Sequence, residues 1–380
     1  MLSRIRHFLT GFTSTEKLKT VQPQVLLHPA KEGDILRQRY PLIRRLGERF
    51  GRRSTIWLSK DSKTENDVVI KITGSDSTDA GRYSQLEALF LEKVRHKSAT
   101  IEQSHVIHML EHFPISSIHG THGSLVLERL GPSVAQVMNW AHPNKLPVRV
   151  CRQIIKQVLV GLDFLHRECG IVHTDLKLDN LLLRLAETQG TPDPGNVEHS
   201  TEIDFSRVSL GSAAVVITDL GVASNIEEPF NGVIQPYALR APEVYLGIPY
   251  GPPADIWSLG CLAFELVTYC WLFNPTETSK WSRDDDILEQ MVSLNGLELF
   301  PVDVLARGKY SDRFFDKTGK LHGYNVGACS IRGLLDSRCS LQPEDEPDAF
   351  ADLLSRMLRL RPEDRESASE LLIHPWLRAT

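Results

Sequence analysis

The run His173-Thr174-Asp175-Leu176-Lys177-Leu178-Asp179-Asn180 places within one loop three side chains that phosphoryl transfer needs. A carboxylate at Asp175 can accept the proton of an attacking hydroxyl. The ammonium of Lys177 can neutralise charge on the transferred phosphoryl group, and the amide oxygen of Asn180 can hold a Mg²⁺ ion. His173 has the place of a packing and hydrogen-bonding residue, not of the base. Two further landmarks complete the set. Lys71 closes the apolar run Val68-Val69-Ile70-Lys71, from which it can reach nucleotide phosphates; a lysine in such a strand needs an anionic partner, and Glu87 on the following segment is placed to supply it. Asp219, in Asp219-Leu220-Gly221, stands at a strand end before a glycine turn, where a second metal-binding carboxylate belongs. Each feature alone has a plainer reading: the loop as a helix end, the lysine as an edge-strand residue, Asp-x-Gly as a turn. Their order along one chain is what is specific.

The elements that must position these groups are legible as patterns. Residues 1–35 read as an N-terminal extension whose first dozen residues are basic, amphipathic and free of acid; a frayed or docking helix is the reading favoured there over a transit peptide. Runs at Pro41–Leu46, Ser54–Leu58, Val68–Ile72, Val106–Leu110 and Ser124–Leu127 predict five strands. Leu86, Leu89, Phe90 and Val94 recur at helical spacing within 82–95. After Gly131-Pro132 the pattern turns helical, with Ile154, Ile155, Val158, Leu159, Leu162 and Leu165 on one wide apolar face. A polar stretch at 185–213 reads as a flexible insertion. The expected fold class is α+β and bilobal: a small β-rich lobe of five strands and one helix at about 36–128, a hinge at about 128–132, and a larger helical lobe at about 132–378.

Composition is that of a globular chain of 380 residues, 41% hydrophobic and 24% charged, with no low-complexity tract. A net charge of −5 argues against bulk binding of nucleic acid and leaves room for a basic partner. The longest apolar run falls short of a membrane span. Six cysteines without a C-x-x-C pair read as reduced thiols of an intracellular protein.

Ala241-Pro242-Glu243 and Asp255-Ile256-Trp257-Ser258-Leu259-Gly260 follow the earlier landmarks in order, and with them residues 35–378 resemble a eukaryotic protein kinase. Within that fold the chain looks most like the SR-protein kinase (SRPK) family, as a divergent, fungal-type member. The marks are His173-Thr174-Asp175 in place of His-Arg-Asp, Gly33-Asp34 with Arg39-Tyr40, Ser54-Thr55-Ile56-Trp57-Leu58, Pro253-Ala254-Asp255-Ile256-Trp257, Ala263-Phe264-Glu265-Leu266 and Phe314-Phe315-Asp316. The resemblance implies ATP and Mg²⁺ as cofactors, with Asp175, Lys177, Lys71 and Glu87 catalytic and Asn180 and Asp219 on the metal. Leu46, Gly47, Gly51, Ile56, Val69, Lys71, Leu127, Glu128, Leu130 and Leu182 would bind the nucleotide, the backbone of Glu128 and Leu130 meeting the adenine edge. It further implies Arg/Ser-rich protein substrates, no direct contact with nucleic acid or membrane, a monomeric enzyme, and a cytoplasmic or nuclear location.

The chain departs from the family at three places. The phosphate-covering stretch Leu46–Ile56 has two glycines, lacks the central one and is two residues longer than the resemblance predicts; Arg49, Arg52 and Arg53 can contact phosphates in compensation. Pro236 stands where relatives have a hydroxyl that bridges to Asp175 and Lys177. Thr174 replaces the arginine that grips a phosphorylated activation loop, so loop phosphorylation should be unnecessary. Asp284-Asp285-Asp286 with Glu289 predicts a carboxylate cluster able to attract guanidinium groups, the plainer reading being acids that complement a helix N-terminus. The alternative from another class is a pseudokinase or scaffold. Six intact catalytic-type residues speak for an active Ser/Thr kinase, because a binding scaffold has no chemical use for them all.

Overall fold

The protein is described by a computed structural model that covers residues 26–48, 54–75, 79–97, 102–184, 213–227, 232–278, 281–323, 327 and 329–378. The N-terminal lobe is one antiparallel sheet: β1 (Ile35–Leu36), β2 (Tyr40–Glu48), β3 (Ser54–Lys60), β4 (Asp67–Ser75), β5 (Met109–Ser117) and β6 (Gly120–Glu128), in the order β1-β2-β3-β4-β6-β5. Side chains alternate across a strand, and the alternation in β4 sorts structure from chemistry. Val68, Ile70 and Ile72 join Trp57, Val126, Tyr40, Leu42 and Phe113 in a small core on one face. Val69 and Lys71 face the other way, Lys71 opposite Ile56 and Leu125, Val69 opposite Leu58 and Leu127. Helix α1 (Asp79–Arg95) packs against the sheet through buried Phe90, Leu91 and Val94.

The expected five strands are six, because the pair Ile35–Leu36 adds an edge. The run Val106–Leu110 is also divided. Val106 bridges in parallel to Ile217, and the Ile107 amide donates to the Ile217 carbonyl at 2.9 Å, so these residues are stitched to the other lobe. The strand starts at Met109 and runs on to Ser117. An apolar β-branched pair reads as strand from sequence whether its partner is a sheet neighbour or a distant segment. Ahead of β2, Arg39 clasps Asp61 at 2.6 Å through two bonds, while Glu111 takes Arg37, Arg39 and the Tyr40 hydroxyl.

The C-terminal lobe is built on α2 (Val134–Ala141), α3 (Val148–Asp163), α4 (Pro242–Leu246), α5 (Pro252–Thr268) and α6 (Arg283–Leu294), with short helices beyond. The apolar face of α3 is buried as its spacing predicts. Every residue of α5 from Ala254 to Phe264 is buried, which makes it the pillar of the lobe. Between the lobes, Gly131 N–H donates to Leu183 O at 2.7 Å, and the Glu128 carboxylate takes Arg184 Nε at 2.9 Å and Nη2 at 2.6 Å. The insertion read at 185–213 lies outside the described residues except for Ala213.

Glu243 and Arg365 form a bidentate pair at 2.7 Å and 2.7 Å with side chains 1% and 0% exposed, and the guanidinium lies 4.9 Å from the Trp257 ring. Removing one member leaves the other buried and uncompensated. Glu243→Ala is therefore expected to lower unfolding free energy by about 3–5 kcal/mol. Chemical denaturation tests this; a loss under about 1 kcal/mol would mean that the pair is solvated in solution.

Candidate active site

Lys71 Nζ lies 2.8 Å and 2.6 Å from the two Glu87 carboxylate oxygens and 2.7 Å from Asp219 Oδ1. Lys71 is 7% exposed and Glu87 3%. Three elements converge here: β4 brings Lys71, α1 brings Glu87, and the turn after a C-lobe strand brings Asp219. Gly221 passes beside them. A Cβ at Gly221 would stand 3.2 Å from Glu87 Oε2, 3.3 Å from Asp219 Oδ1 and 3.5 Å from Lys71 Nζ, so this glycine makes the close approach possible.

Asp219 is set beside the catalytic-type loop by a short hairpin, β7 (Leu181–Arg184) against β8 (Ala214–Ile217). Leu181 pairs with Ile217, and the Thr218 amide donates to Asn180 O at 2.9 Å, which lines up Asn180 with Asp219 one step beyond. Asn180 Nδ2 donates to the Asp175 carbonyl at 2.9 Å and to Asp175 Oδ2 at 3.2 Å; Lys177 Nζ meets the same Oδ2 at 2.5 Å. Asp175, Lys177 and Asn180 thus form one hydrogen-bonded group, as Lys71, Glu87 and Asp219 form another. Asp219 and Asn180 offer hard oxygen donors only, and among the described residues no cluster of three or more His, Cys, Asp or Glu is built to hold a metal by itself. That donor set suits a cation of the magnesium class, which takes one or two protein oxygens and completes its shell with phosphate and water.

The loop that carries Asp175 hangs from a residue whose role sequence reasoning missed. Asp255, fully buried in the first turn of α5, accepts from the His173 amide at 2.7 Å, the Thr174 amide at 2.9 Å and His166 Nε2 at 2.9 Å. Burial alone pushes this carboxyl up, but the hydrogen bonds and charge of His166 and His173 outweigh it and hold it below the usual carboxylate range. His173 is confirmed as a bracing residue: its Nε2 pairs with Thr218 O at 3.0 Å. Three non-glycine residues around the loop have left-handed backbones, Thr174 (φ 66°), Asp219 (φ 68°) and Gln235 (φ 67°). For β-branched Thr174 this costs on the order of 1–3 kcal/mol and persists only when neighbours over-determine it. They do: besides Asp255, Thr174 Oγ1 donates to Val222 O at 2.6 Å and its carbonyl accepts from Gln235 N–H at 2.9 Å.

Leu46, Ile56, Val69, Leu127 and Leu182 are all half-buried, unlike the sealed core residues on the opposite sheet face, and Val69 and Leu127 are direct cross-strand partners. Gly47 lies in β2 and Leu130 is buried at the lobe junction. Gly51 and the arginines at 49, 52 and 53 lie outside the described residues. Gln235, the second residue that sequence reasoning missed, locks the segment before Ala241: its Nε2 donates to Ala254 O at 2.7 Å and Ser258 Oγ at 2.9 Å, and its Oε1 accepts from Ala241 N–H at 2.9 Å. Arg240 Nε and Nη2 donate to the carbonyls of Ile234 and Gln235. Pro236 precedes the turn Tyr237–Leu239.

The protein kinase domain family matches residues 40–377. The chain belongs to the protein kinase family. It is similar to a serine/threonine protein kinase of Aspergillus fumigatus (31% identity, covering 93% of this chain and 88% of the relative) and to the serine/threonine-protein kinase SRPK of Physarum polycephalum (28%; 92% and 88%). Human SRSF protein kinase 3 is 26% identical over 92% and 88% of the two chains. The enzyme is a serine/threonine protein kinase of SRPK-like type, with the bilobal fold of that family, acting on protein with ATP and a divalent metal.

In this kinase the acidic cluster at the head of α6 has internal duties. Asp285 Oδ2 accepts from the amide and hydroxyl of Ser282 in a capping box, Asp286 Oδ2 takes the Thr276 amide at 2.9 Å, and Asp284 meets the Tyr237 hydroxyl at 3.1 Å. The plainer of the two sequence readings describes Asp285 and Asp286 best. Beside the catalytic-type loop, burial pushes Glu265 of α5 up to about 7; the nearby charge of Asp179 adds to this and a hydrogen bond from Trp271 opposes it.

Two outcomes follow for the kinase. Asp255→Asn keeps size but loses one charge and an acceptor; it should lower kcat about tenfold or more while leaving nucleotide affinity within about threefold, since it touches the loop and not the cleft walls. A fall in nucleotide affinity equal to that in kcat would contradict the assignment. Glu265, being raised in the folded state, holds its proton there more tightly than in the unfolded chain. Its contribution to stability is complete below about pH 4.5 and is lost as pH rises through about 7. Glu265→Gln should therefore gain about 2–3 kcal/mol over wild type between pH 5 and pH 8. Parallel stability–pH curves for the two proteins would refute this.

Proposed function

We propose that the kinase transfers the γ-phosphoryl group of ATP to serine or threonine in basic, Arg/Ser-rich proteins, with Asp175 as general base. The observation that carries the assignment is the convergence of Lys177 and Asn180 on Asp175 Oδ2. The substrate hydroxyl would replace part of that hydrogen bonding and pass its proton to this oxygen as it attacks. Lys177 then lies where it can neutralise negative charge on the group in flight. Lys71, held by Glu87, binds the α- and β-phosphates. Asn180 and Asp219 would hold Mg²⁺, which when bound would supply charge neutralisation at the nucleotide phosphates. Leu46, Ile56, Val69, Leu127 and Leu182 sandwich the base, and the backbone of Glu128 and Leu130 meets its edge.

The substrate class is supported by two findings of different kinds. One relative is named for SRSF proteins and another as an SRPK. Negative charge also stands beside the catalytic-type loop at Asp179, which is exposed. Asp284 is the member of the α6 cluster that meets the segment before Ala241, through the Tyr237 hydroxyl at 3.1 Å, and it already faces one guanidinium, Arg313, at 3.6 Å. The family resemblance implies a cytoplasmic or nuclear site of action; separately, among the described residues no helix is long and apolar enough to cross a membrane. The pseudokinase alternative has only the irregular glycine stretch in its favour.

Asp175→Asn is expected to lower phosphate transfer by about a hundredfold or more with nucleotide affinity nearly unchanged. Transfer from labelled ATP to an Arg-Ser repeat peptide, a Ser-Pro peptide and a control free of Lys and Arg should favour the first. Equal, background-level incorporation by wild type and variant with all three peptides would establish the scaffold reading instead. Robust transfer with no preference for Arg-Ser would keep the enzyme and remove the substrate class.

A further inference from the structure

Arg184 ends β7, and its guanidinium reaches from the C-terminal lobe to the hinge. Its Nε and Nη2 donate to the two carboxylate oxygens of Glu128 at 2.9 Å and 2.6 Å, and its Nη1 donates to the Ser104 carbonyl in the turn Glu102–His105 ahead of β5. Glu128 Oε1 also accepts from the His108 amide at 2.8 Å, and the Glu128 amide donates to the His108 carbonyl at 3.1 Å. One side chain of the lower lobe thus gathers the end of β6 and the turn before β5. The contact is fork to fork, so two charge-assisted bonds fix orientation as well as distance. The two side chains are 26% and 18% exposed, which leaves the pair only partly screened by solvent.

Side chains alternate along β7. Leu181 and Leu183 are sealed in the core, whereas half-buried Leu182 and Arg184 share the other face. Leu182 is read above as a wall of the nucleotide cleft, and Arg184 stands about 7 Å further along that face. A plain brace between the lobes is the simpler role for the pair. Backbone bonds already supply such bracing, from Gly131 N–H to Leu183 O and from Ile107 N–H to Ile217 O. What Arg184 adds is a grip on the side chain of the residue whose backbone is read as meeting the adenine edge. Its neighbour in the hinge, Arg129, pairs instead with Asp67 of β4, within its own lobe.

We propose that Arg184 is a positioning residue for the nucleotide: by fixing the Glu128 side chain it holds the hinge backbone at one angle to the cleft, and so sets nucleotide affinity without taking part in the transfer step. This rests on the nucleotide reading of the cleft given above.

The test is the affinity for ADP with Mg²⁺, measured by calorimetry, together with KM for ATP and kcat on an Arg-Ser repeat peptide. Arg184→Ala should raise Kd for ADP and KM for ATP about tenfold while kcat stays within about twofold. Arg184→Lys keeps the charge but not the fork, and should weaken ADP by only about threefold. Arg184→Ala combined with Glu128→Gln should bind ADP no more weakly than the weaker single variant, because both changes remove the same bond. Arg129→Ala should stay within about twofold of wild type in ADP affinity, because its ion pair does not cross between the lobes. Unchanged ADP affinity in Arg184→Ala, with or without a fall in kcat, would overturn the proposal and leave a simple brace. Additive losses in the double variant, or an equal loss in Arg129→Ala, would overturn it too, since the effect would not belong to the bond between Arg184 and Glu128. Wild-type protein that binds no ADP would remove the nucleotide reading itself, and this proposal with it.

Discussion

A lysine amine with almost no exposed surface obliges the rest of the molecule to bring it anions. Moving such a charge out of water costs several kcal/mol, and only close, hydrogen-bonded carboxylates offset it. Lys71 meets that requirement with Glu87 from α1 and Asp219 from the C-terminal lobe, at 2.6 Å and 2.7 Å. Because the partners come from separate elements, satisfying one ammonium fixes the tilt of α1, the depth of the sheet and the approach of the second lobe together. A side chain at Gly221 would crowd this same cluster. On the proposed function, nucleotide phosphates would serve as replacement anions for Lys71, and Asp219 would help to hold the metal.

The second constraint is the anchoring of the Asp175 loop. A threonine in the left-handed region is strained, and here each polar atom of its backbone and side chain is tied to a different segment: Asp255 of α5, Val222 after the Asp219 turn, and Gln235 ahead of Ala241. These are the segments that an arginine and a phosphorylated loop would join in relatives of the other type. The hydroxyl of Thr174 makes one such connection at neutral charge, by donating to the Val222 carbonyl.

Much of this was legible in the sequence because it is local. Asp175, Lys177 and Asn180 sit within one loop, and the alternation Val68 to Ile72 already separates core from cleft. Helix α3 likewise announced its buried face. What could not be read depends on partners far along the chain. Val106 and Ile107 have the composition of a strand, yet their partner is Ile217 in the other lobe. Asp255 was visible as part of a motif, but nothing near it in sequence tells that its acceptors are spent on residues 173 and 174. The signal available was an acid in the first turn of an otherwise apolar stretch of helix, which has to be paired. At α6 the capping pattern Ser282-x-x-Asp285 was present, and it explains more of that acidity than ligand attraction does.

The account rests on an active site that assembles from hydrogen bonds within the unmodified chain. The most direct test is the turnover of enzyme shown by intact mass to carry no phosphate, compared with the same preparation after prolonged incubation with ATP and Mg²⁺. Equal kcat within about twofold is the predicted result. Silent unmodified enzyme that gains tenfold or more as phosphate accumulates between residues 222 and 239 would contradict it, because the Thr174 connections would then be insufficient to hold Asp175 in place.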